Sequence, residues 1–309
     1  MAEHVLVIGA ALLDTKGKPA EGLEPGTSNP AQIQHTRGGT ARNVAENLAR
    51  LGAEIVLLSA VGNDRTGRRL LDETADSGAN IDNVLVVDGE NSGSYIAILE
   101  EDGSLSVALD DVRVMDSITP KYLYQKRKLF RDAALVMIDG SLGQGTMDTA
   151  VRMAKQYDKP LAADPSSSRL AMNLRPFLPQ LQLVVPNEAE AAAMLGIDFA
   201  GYDPDASLDA ALRLNRIGVR TAVVTLSDYG LVFATSDETG YIPARYNEMI
   251  DSTGTGDAVT SAIIFGMINN LTTIESIRLG AAAASLTLQS SDTVVPDLSL
   301  DMLYSHLIV

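Results

Sequence analysis

Short β-branched apolar runs alternate along the chain with stretches whose apolar positions recur at helical spacing. His4–Ile8, Ile55–Ala60, Leu135–Ile138, Leu161–Ala163, Leu183–Val185 and Ala222–Leu226 read as buried strands. Helical patterns follow most of them: Thr40–Leu51, Arg65–Ser77, Gly145–Tyr157, Glu188–Leu195, Ala206–Ile217 and Asp257–Ile268. Val44, Leu48 and Leu51 share one face of the first, and Glu46 and Arg50 form an i,i+4 pair on another. Gly78 and Gly196 stand where helices commonly end. Alternating β and α units imply an α/β fold: a mainly parallel central sheet, right-handed crossovers, and helices on both faces.

Two segments break that rhythm. Leu13–Arg37 is polar and rich in Gly, Pro, Ser and Asn. Asn91–Asp111 contains SYIAILEEDGSLSVAL, which alternates like a hairpin around Asp102-Gly103. Bare loops of that length are uncommon in a compact domain and are usually functional. The expectation is a single domain over 1–309 in which insertions at about 13–37 and 91–111 build a small β-sheet lid over the mouth of the main sheet. No internal repeat or low-complexity tract is visible.

Composition narrows the function classes. With 46% hydrophobic and 21% charged residues, 309 residues can form a sizeable core. The absence of cysteine excludes disulfides, zinc thiolates and thiol nucleophiles. A formal net charge of −16 disfavours nucleic acid polymers and anionic membranes as partners, and leaves small molecules open. The N-terminal MAEHVLVIGA has no basic segment, and the longest apolar runs, Ala258–Ile268 and Leu279–Leu288, are too short to cross a bilayer. A cytoplasmic enzyme is expected. His4, His35 and His306 show no metal-ligand spacing.

The chemistry concentrates in DSTGTGDAVTSAII (251–264). Gly254-Thr255-Gly256 opens an apolar helix, whose first amides and dipole favour an anion. Asp257 stands at the same helix start. It reads either as a general base for an attacking hydroxyl or as a first-turn acid that favours the dipole, and the helix terminus is expected to keep it ionised. Earlier in the chain, Gly38-Gly39-Thr-Ala-Arg42-Asn43 precedes an amphipathic helix. The glycines let backbone close on a ligand, and Asn43 can both donate to and accept from vicinal hydroxyls. Arg42 reads as a ligand-side cation or as an exposed first-turn residue.

Together these motifs resemble the ribokinase/PfkB kinases. GGTARNVAENLARLG (38–52) with VGNDRTGRRLL (61–71) is similar to their N-terminal signature, and 251–264 to their C-terminal one. Asp164-Pro165, PNEAE (186–190) and TLSDYG (225–230) follow in the family's order, so the resemblance spans essentially the whole chain. It implies a ribokinase-like fold and ATP-dependent phosphorylation of a hydroxyl. Asp257 would be the base, and Gly254, Thr255 and Gly256 the anion hole. Asp14, Gly38, Gly39 and Asn43 would bind the sugar. Asn187 and Glu190 would organise Mg²⁺ through water, although an N-cap Asn with Glu at N3 is also a capping box. Thr225, Ser227 and Gly230, with Asn187, Gly254, Gly256 and the segment near 283–289, would lie along the nucleotide. Asp251 and Thr253 would belong to a loop for a monovalent cation such as K⁺.

Within the family, SNPAQIQHTRGGTARNVAENLARLG (28–52) and the segment 89–123 look like those of pseudouridine kinases, which phosphorylate a nucleoside 5′-hydroxyl. That resemblance adds Ser28, Asn29, Arg42 and Tyr95 as substrate contacts. Tyr95 also reads simply as a residue of good strand propensity. Thr40-Ala41, and Pro186 without a preceding Lys, depart from the pattern and bear on substrate more than on reaction. Another sugar kinase of the family (ribokinase, 2-keto-3-deoxygluconate or fructose type) or a non-catalytic kinase-fold regulator are the alternatives. Gly62-Asn-Asp-Arg-Thr-Gly67 has Walker A spacing but continues with Arg68-Arg69. Gly9 opens no dinucleotide fingerprint. Lid strands with apolar faces make a homodimer through the lid the expected assembly.

Overall fold

Val5 and Val7 point to one side of the first strand and Leu6 and Ile8 to the other, and all four are at most 1% exposed. Such a strand needs cover on both faces, and the computed structural model supplies it. It describes residues 3–101, 105–198, 203–226, 229–244 and 250–307. The expected turn at Asp102-Gly103 and the candidate residue Ser227 lie outside the described residues.

The strands in chain order are β1 (His4–Ile8), β2 (Leu12–Pro19), β3 (Ala31–Gly38), β4 (Ile55–Leu58), β5 (Ala60–Gly62), β6 (Leu85–Val87) and β7 (Gly93–Leu99), then β8 (Leu105–Asp111), β9 (Ala133–Asp139), β10 (Leu161–Asp164), β11 (Leu183–Val184), β12 (Thr221–Thr225), β13 (Gly230–Ala234) and β14 (Thr239–Pro243). The helices are α1 (Thr40–Arg50), α2 (Arg65–Asp76), α3 (Pro120–Gln125), α4 (Arg127–Asp132), α5 (Gln144–Gln156), α6 (Ser168–Leu174), α7 (Glu188–Leu195), α8 (Pro204–Ile217), α9 (Thr255–Ile268), α10 (Thr273–Leu288) and α11 (Leu300–Ser305).

The main sheet runs β14-β13-β12-β11-β10-β9-β1-β4. Its pairings are parallel from β4 to β12 and antiparallel at the β13 and β14 edge. One apolar cluster packs α1, α9 and α10 against the face that carries Val5, Val7, Leu135 and Met137. A second packs α4 to α8 against Leu6, Ile8, Val136 and Ile138. Chain order reverses at β1, which lies between β4 and β9. Ligand crevices of open α/β sheets form at the carboxyl ends of strands flanking such a point. The run Ile55–Ala60 is not one strand. β4 stops at Leu58, and Ala60 begins β5, which pairs with β6 in a separate ribbon.

A separate four-stranded sheet, β3-β2-β7-β8, is built from the two segments that break the α/β rhythm. Its side-chain period of two divides it into two faces. Asp14, Lys16, Tyr95 and Ala97 share one face, being paired across β2 and β7 or two residues apart. Ile33, Ile96, Val107 and Leu109 share the other and are 39–66% exposed. Ser28 and Asn29 lie in the β2–β3 connection, beyond the Pro19–Ala31 pair.

The Walker-like stretch makes no phosphate cradle. Asp64 caps α2 by accepting from the Gly67 amide, and its carboxylate also accepts from Ser92. Among the described residues, no helix is long and apolar enough to cross a membrane.

Candidate active site

The carboxyl ends of the parallel strands gather acids. Asp139 ends β9 and is wholly buried; it accepts from the amides of Ala10 (2.8 Å), Ala41 (3.2 Å) and Ser141 (3.0 Å). It thereby ties the end of β1 to the start of α1. Asp164 ends β10 and accepts from the Thr260 hydroxyl of α9 at 2.7 Å and the Ser166 amide at 3.1 Å. Burial pushes the Asp164 carboxyl up to about 6.

α9 begins beside Asp164. Gly254 precedes it with φ of 83°, and a Cβ there would lie 2.1 Å from the Thr293 carbonyl oxygen. Only glycine fits that backbone. No side chain caps the helix; the Thr255 amide donates to the Ser252 carbonyl at 3.3 Å, which leaves the Gly256 and Asp257 amides for a ligand, and the Thr255 hydroxyl is buried without a partner. At Gly256 a Cβ would meet nothing within 4 Å. The space above this turn is open.

Asp257 faces that space. Its Oδ2 accepts from Asn43 Nδ2 at 2.6 Å. Burial first, then Asp164 and Asp14, push its carboxyl well above the usual range; Asn43 and Arg42 pull the other way. This reverses the expectation that the helix start keeps Asp257 ionised. Burial above all, with Asp164 and Asp14 adding to it, outweighs the helix terminus.

α1 brings Asn43 to Asp257. Gly39 lies against Ala10, where a Cβ would fall 2.4 Å from the carbonyl oxygen. Arg42 is neither exposed nor ligand-facing. It is 0% exposed, donates to the Gly38 carbonyl (3.0 Å) and the Arg37 carbonyl (3.2 Å), and pairs with Glu46 and with Asn43 Oδ1. The correction has a plain cause: the helix buries the face that carries Arg42, and Glu46 one turn on neutralises it. The guanidinium fixes the Asn43 amide with its oxygen inward and its NH₂ toward Asp257. Thr293 joins the cluster through Arg37 (2.6 Å) and Asn43 (3.4 Å).

The small sheet closes the far side. Asp14 is 6% exposed and lies against Gly38, where a Cβ would overlap its carboxyl at 2.3 Å. Burial pushes Asp14 up to about 6, against the pull of Arg42 and Lys16. Thr36, Asp14, Tyr95 and Asp110 form one row across the sheet, and the Thr36 hydroxyl is buried without a partner. The Tyr95 hydroxyl is raised by burial, Asp14 and Asp110. Ser28 and Asn29 do not join this row. Along β2 they lie five or more residues past Asp14, a contour of about 17 Å, and the Asn29 side chain holds Glu24 (2.8 Å) and Thr27 (3.3 Å) of its own loop.

Asn187 and Glu190 form the reciprocal capping box, at 2.9 and 2.8 Å. That leaves one Glu190 oxygen free of the box. Burial and then Asp164 push Glu190 up to about 8. A cation beside Glu190 would favour its ionised form against that burial. Among the described residues no three-ligand cluster stands; Mg²⁺, if taken here, would be held by Glu190 through water. Thr225 bridges Asn187 at the end of β12. Gly230 packs on β14, where a Cβ would fall 2.2 Å from the Ile242 carbonyl oxygen. Residues 283–288 are the C-terminal part of α10; the Leu288 carbonyl accepts from the amides of Ile250 (2.8 Å) and Asp251 (3.4 Å).

Asp251 and Thr253 do not offer an open cation site. The Lys16 ammonium of β2 rests on the Asp251 carboxylate and the Thr253 hydroxyl. Burial alone would raise Asp251; Lys16 and Thr253 hold it below the usual carboxylate range.

Glu190 gives a stability test. Its folded-state value lies above its ordinary 4.5. Between those values the unfolded chain has released the proton and the folded protein still holds it, so stability falls as pH rises. The ligand-free melting temperature should decline from about pH 4.5 to 8, and Glu190→Gln should flatten that decline. An unchanged slope in the variant would remove Glu190 as its source.

Residues 2–299 match the profile described as pfkB family carbohydrate kinase. A pseudouridine kinase of Escherichia coli (strain K12) is 32% identical over 299 residues, 96% of this chain and 94% of its own. A guanosine-inosine kinase of Exiguobacterium acetylicum is 26% identical over 297 residues, 95% and 97% of the two chains. An Arabidopsis thaliana ribokinase solved with ribose and ATP shares the fold, with a TM-score of 0.84 at 21% identity and 100% of each chain covered.

Proposed function

The chain belongs to the pfkB family of carbohydrate kinases, and on that premise we propose that it transfers the γ-phosphoryl group of ATP to the 5′-hydroxyl of a nucleoside, pseudouridine first among them. The observation that carries the reaction is the Asp257 carboxyl beside the uncapped start of α9, with Asp14 across the cleft. The nucleoside reading is supported by the 32% identity to a pseudouridine kinase and by the Asp14–Tyr95 row, where a carboxylate for ribose hydroxyls adjoins a ring that can contact a base.

In this reading Asp14, Gly39 and the second Asn43 N–H hold the ribose. Asp257 takes the proton of the attacking hydroxyl. The new O–P bond forms at the γ-phosphorus as its bond to the β,γ-bridging oxygen breaks, and ADP leaves. The Gly256 and Asp257 amides at the start of α9 take up charge on the transferred group. Glu190 would hold Mg²⁺ through water, and the ion would supply charge neutralisation to the phosphates. The small sheet acts as a lid that excludes water.

The test is a substrate panel with ATP and Mg²⁺: pseudouridine, uridine, guanosine, ribose, fructose 6-phosphate and 2-keto-3-deoxygluconate. Preference for a simple sugar would overturn the nucleoside and leave the kinase. No turnover on any of them would count against the reaction itself.

We also propose that a second copy covers the outer face of the small sheet. Ile33, Ile96, Val107 and Leu109 form an exposed apolar patch of the kind soluble monomers avoid. Light scattering should report a dimer, and Val107→Lys with Leu109→Lys should shift it to monomer. A wild-type monomer at micromolar concentration would refute this.

A further inference from the structure

Lys16 leaves the small sheet two residues after Asp14 and on the same face. Its ammonium contacts Asp251 and Thr253, which stand three and one residues before Gly254 and the start of α9. The contact therefore joins the substrate-side sheet to the phosphate-side loop. Lys16 and Asp251 are 12% and 22% exposed in their side chains, so solvent reaches neither freely. The other Asp251 oxygen accepts from the Thr253 amide at 2.9 Å. The carboxylate of this loop thus has its charge matched and its oxygens occupied within the chain.

An ammonium is a compact single positive charge with three donors. It meets a carboxylate and a hydroxyl as a bare monovalent ion would, but without a separate binding step. We propose that Lys16 is the resident cation of this loop, so that phosphoryl transfer needs no added monovalent ion. Lys16 is a positioning residue. It acts through Asp251 and Thr253 on the Gly254 turn, and because it is carried by the small sheet, the turn is set only when that sheet lies over the cleft. This rests on the kinase reading.

The experiment titrates potassium chloride against choline chloride at constant ionic strength, with wild type, Lys16→Ala and Lys16→Arg. Wild-type kcat should change less than about twofold. Lys16→Ala should lose about ten- to a hundredfold in choline, less than removal of a direct oxyanion donor, and should recover in part with potassium. Lys16→Arg should keep the insensitivity to potassium. Thermal melting without substrates provides a second reading: potassium should stabilise Lys16→Ala over choline, and wild type not. Strong potassium activation of the wild type, or potassium-specific stabilisation of it, would overturn the proposal. So would a Lys16→Ala variant with unchanged turnover and no ion response. Wild type inactive on every substrate would instead indict the kinase reading, and the melting comparison would still decide the role of Lys16.

Discussion

Replacing Asp257 by Asn should lower kcat by about 10²–10⁴-fold, the range for loss of a general base, with the fold and ATP affinity retained. The variant keeps the shape of the side chain and an oxygen for the Asn43 amide, which donates at 2.6 Å in the wild type. It also removes one carboxyl from a cluster with Asp164 and Asp14, so the melting temperature should hold or rise. The wild type carries a further signature. Its Asp257 carboxyl is pushed up, so kcat should fall on the acid side as that group takes a proton and can no longer accept one. The Asn variant should lack that acid limb. Turnover near the wild-type level would remove Asp257 from the role, and an unchanged acid limb would assign it to another group.

The second large effect separates two glycines of one turn. Gly254→Ala should lower both stability and turnover. Its φ of 83° is strained for alanine, and the new methyl would overlap the Thr293 carbonyl oxygen at 2.1 Å. A residue forced into such a conformation costs about 1–3 kcal/mol. Gly256→Ala should do the opposite to stability. It lies within α9 and a Cβ there meets nothing, so the alanine should stabilise by about 0.4–1 kcal/mol. Yet kcat/KM should drop severalfold or more, because the methyl would enter the space that the proposed reaction gives to the transferred phosphoryl group. Thermal melting beside steady-state kinetics reads both. A fully active Gly256→Ala variant would show that the space serves no phosphate.

Much of this was legible in the residues because the chain uses two distinct periods. β1, β9, β10 and β12 are apolar on both faces, and α1, α2 and α8 are amphipathic, so pattern alone finds them. In the small sheet only β7 and β8 announced themselves by alternation; β2 and β3 lie in a segment marked by its length and polar composition. α10 was harder. It is buried almost all round and has no polar stripe to set a period. Asp139 was hidden for a different reason, and Asp164 was visible only as part of a motif without a role: each is a lone acid at a strand end, and its value comes from partners far along the chain. The same distance misled the reading of Asp257, whose neighbours at 14 and 164 no local motif displays. Arg42 looked free because its first-turn position says nothing of which side the helix buries. Lys16 stands in a polar segment with no local motif around it, and only the fold sets it on Asp251.

The small sheet also constrains how this enzyme can diverge. Odd and even positions of β2 and β7 answer to different demands, one chemical and one structural. Inserting or deleting a single residue in either strand would exchange those sets, sending Asp14 or Tyr95 to the outer face and turning Leu13 or Ile96 toward the cleft. New specificities are therefore reachable by replacing side chains one at a time, and length changes are admissible only in the connections between strands.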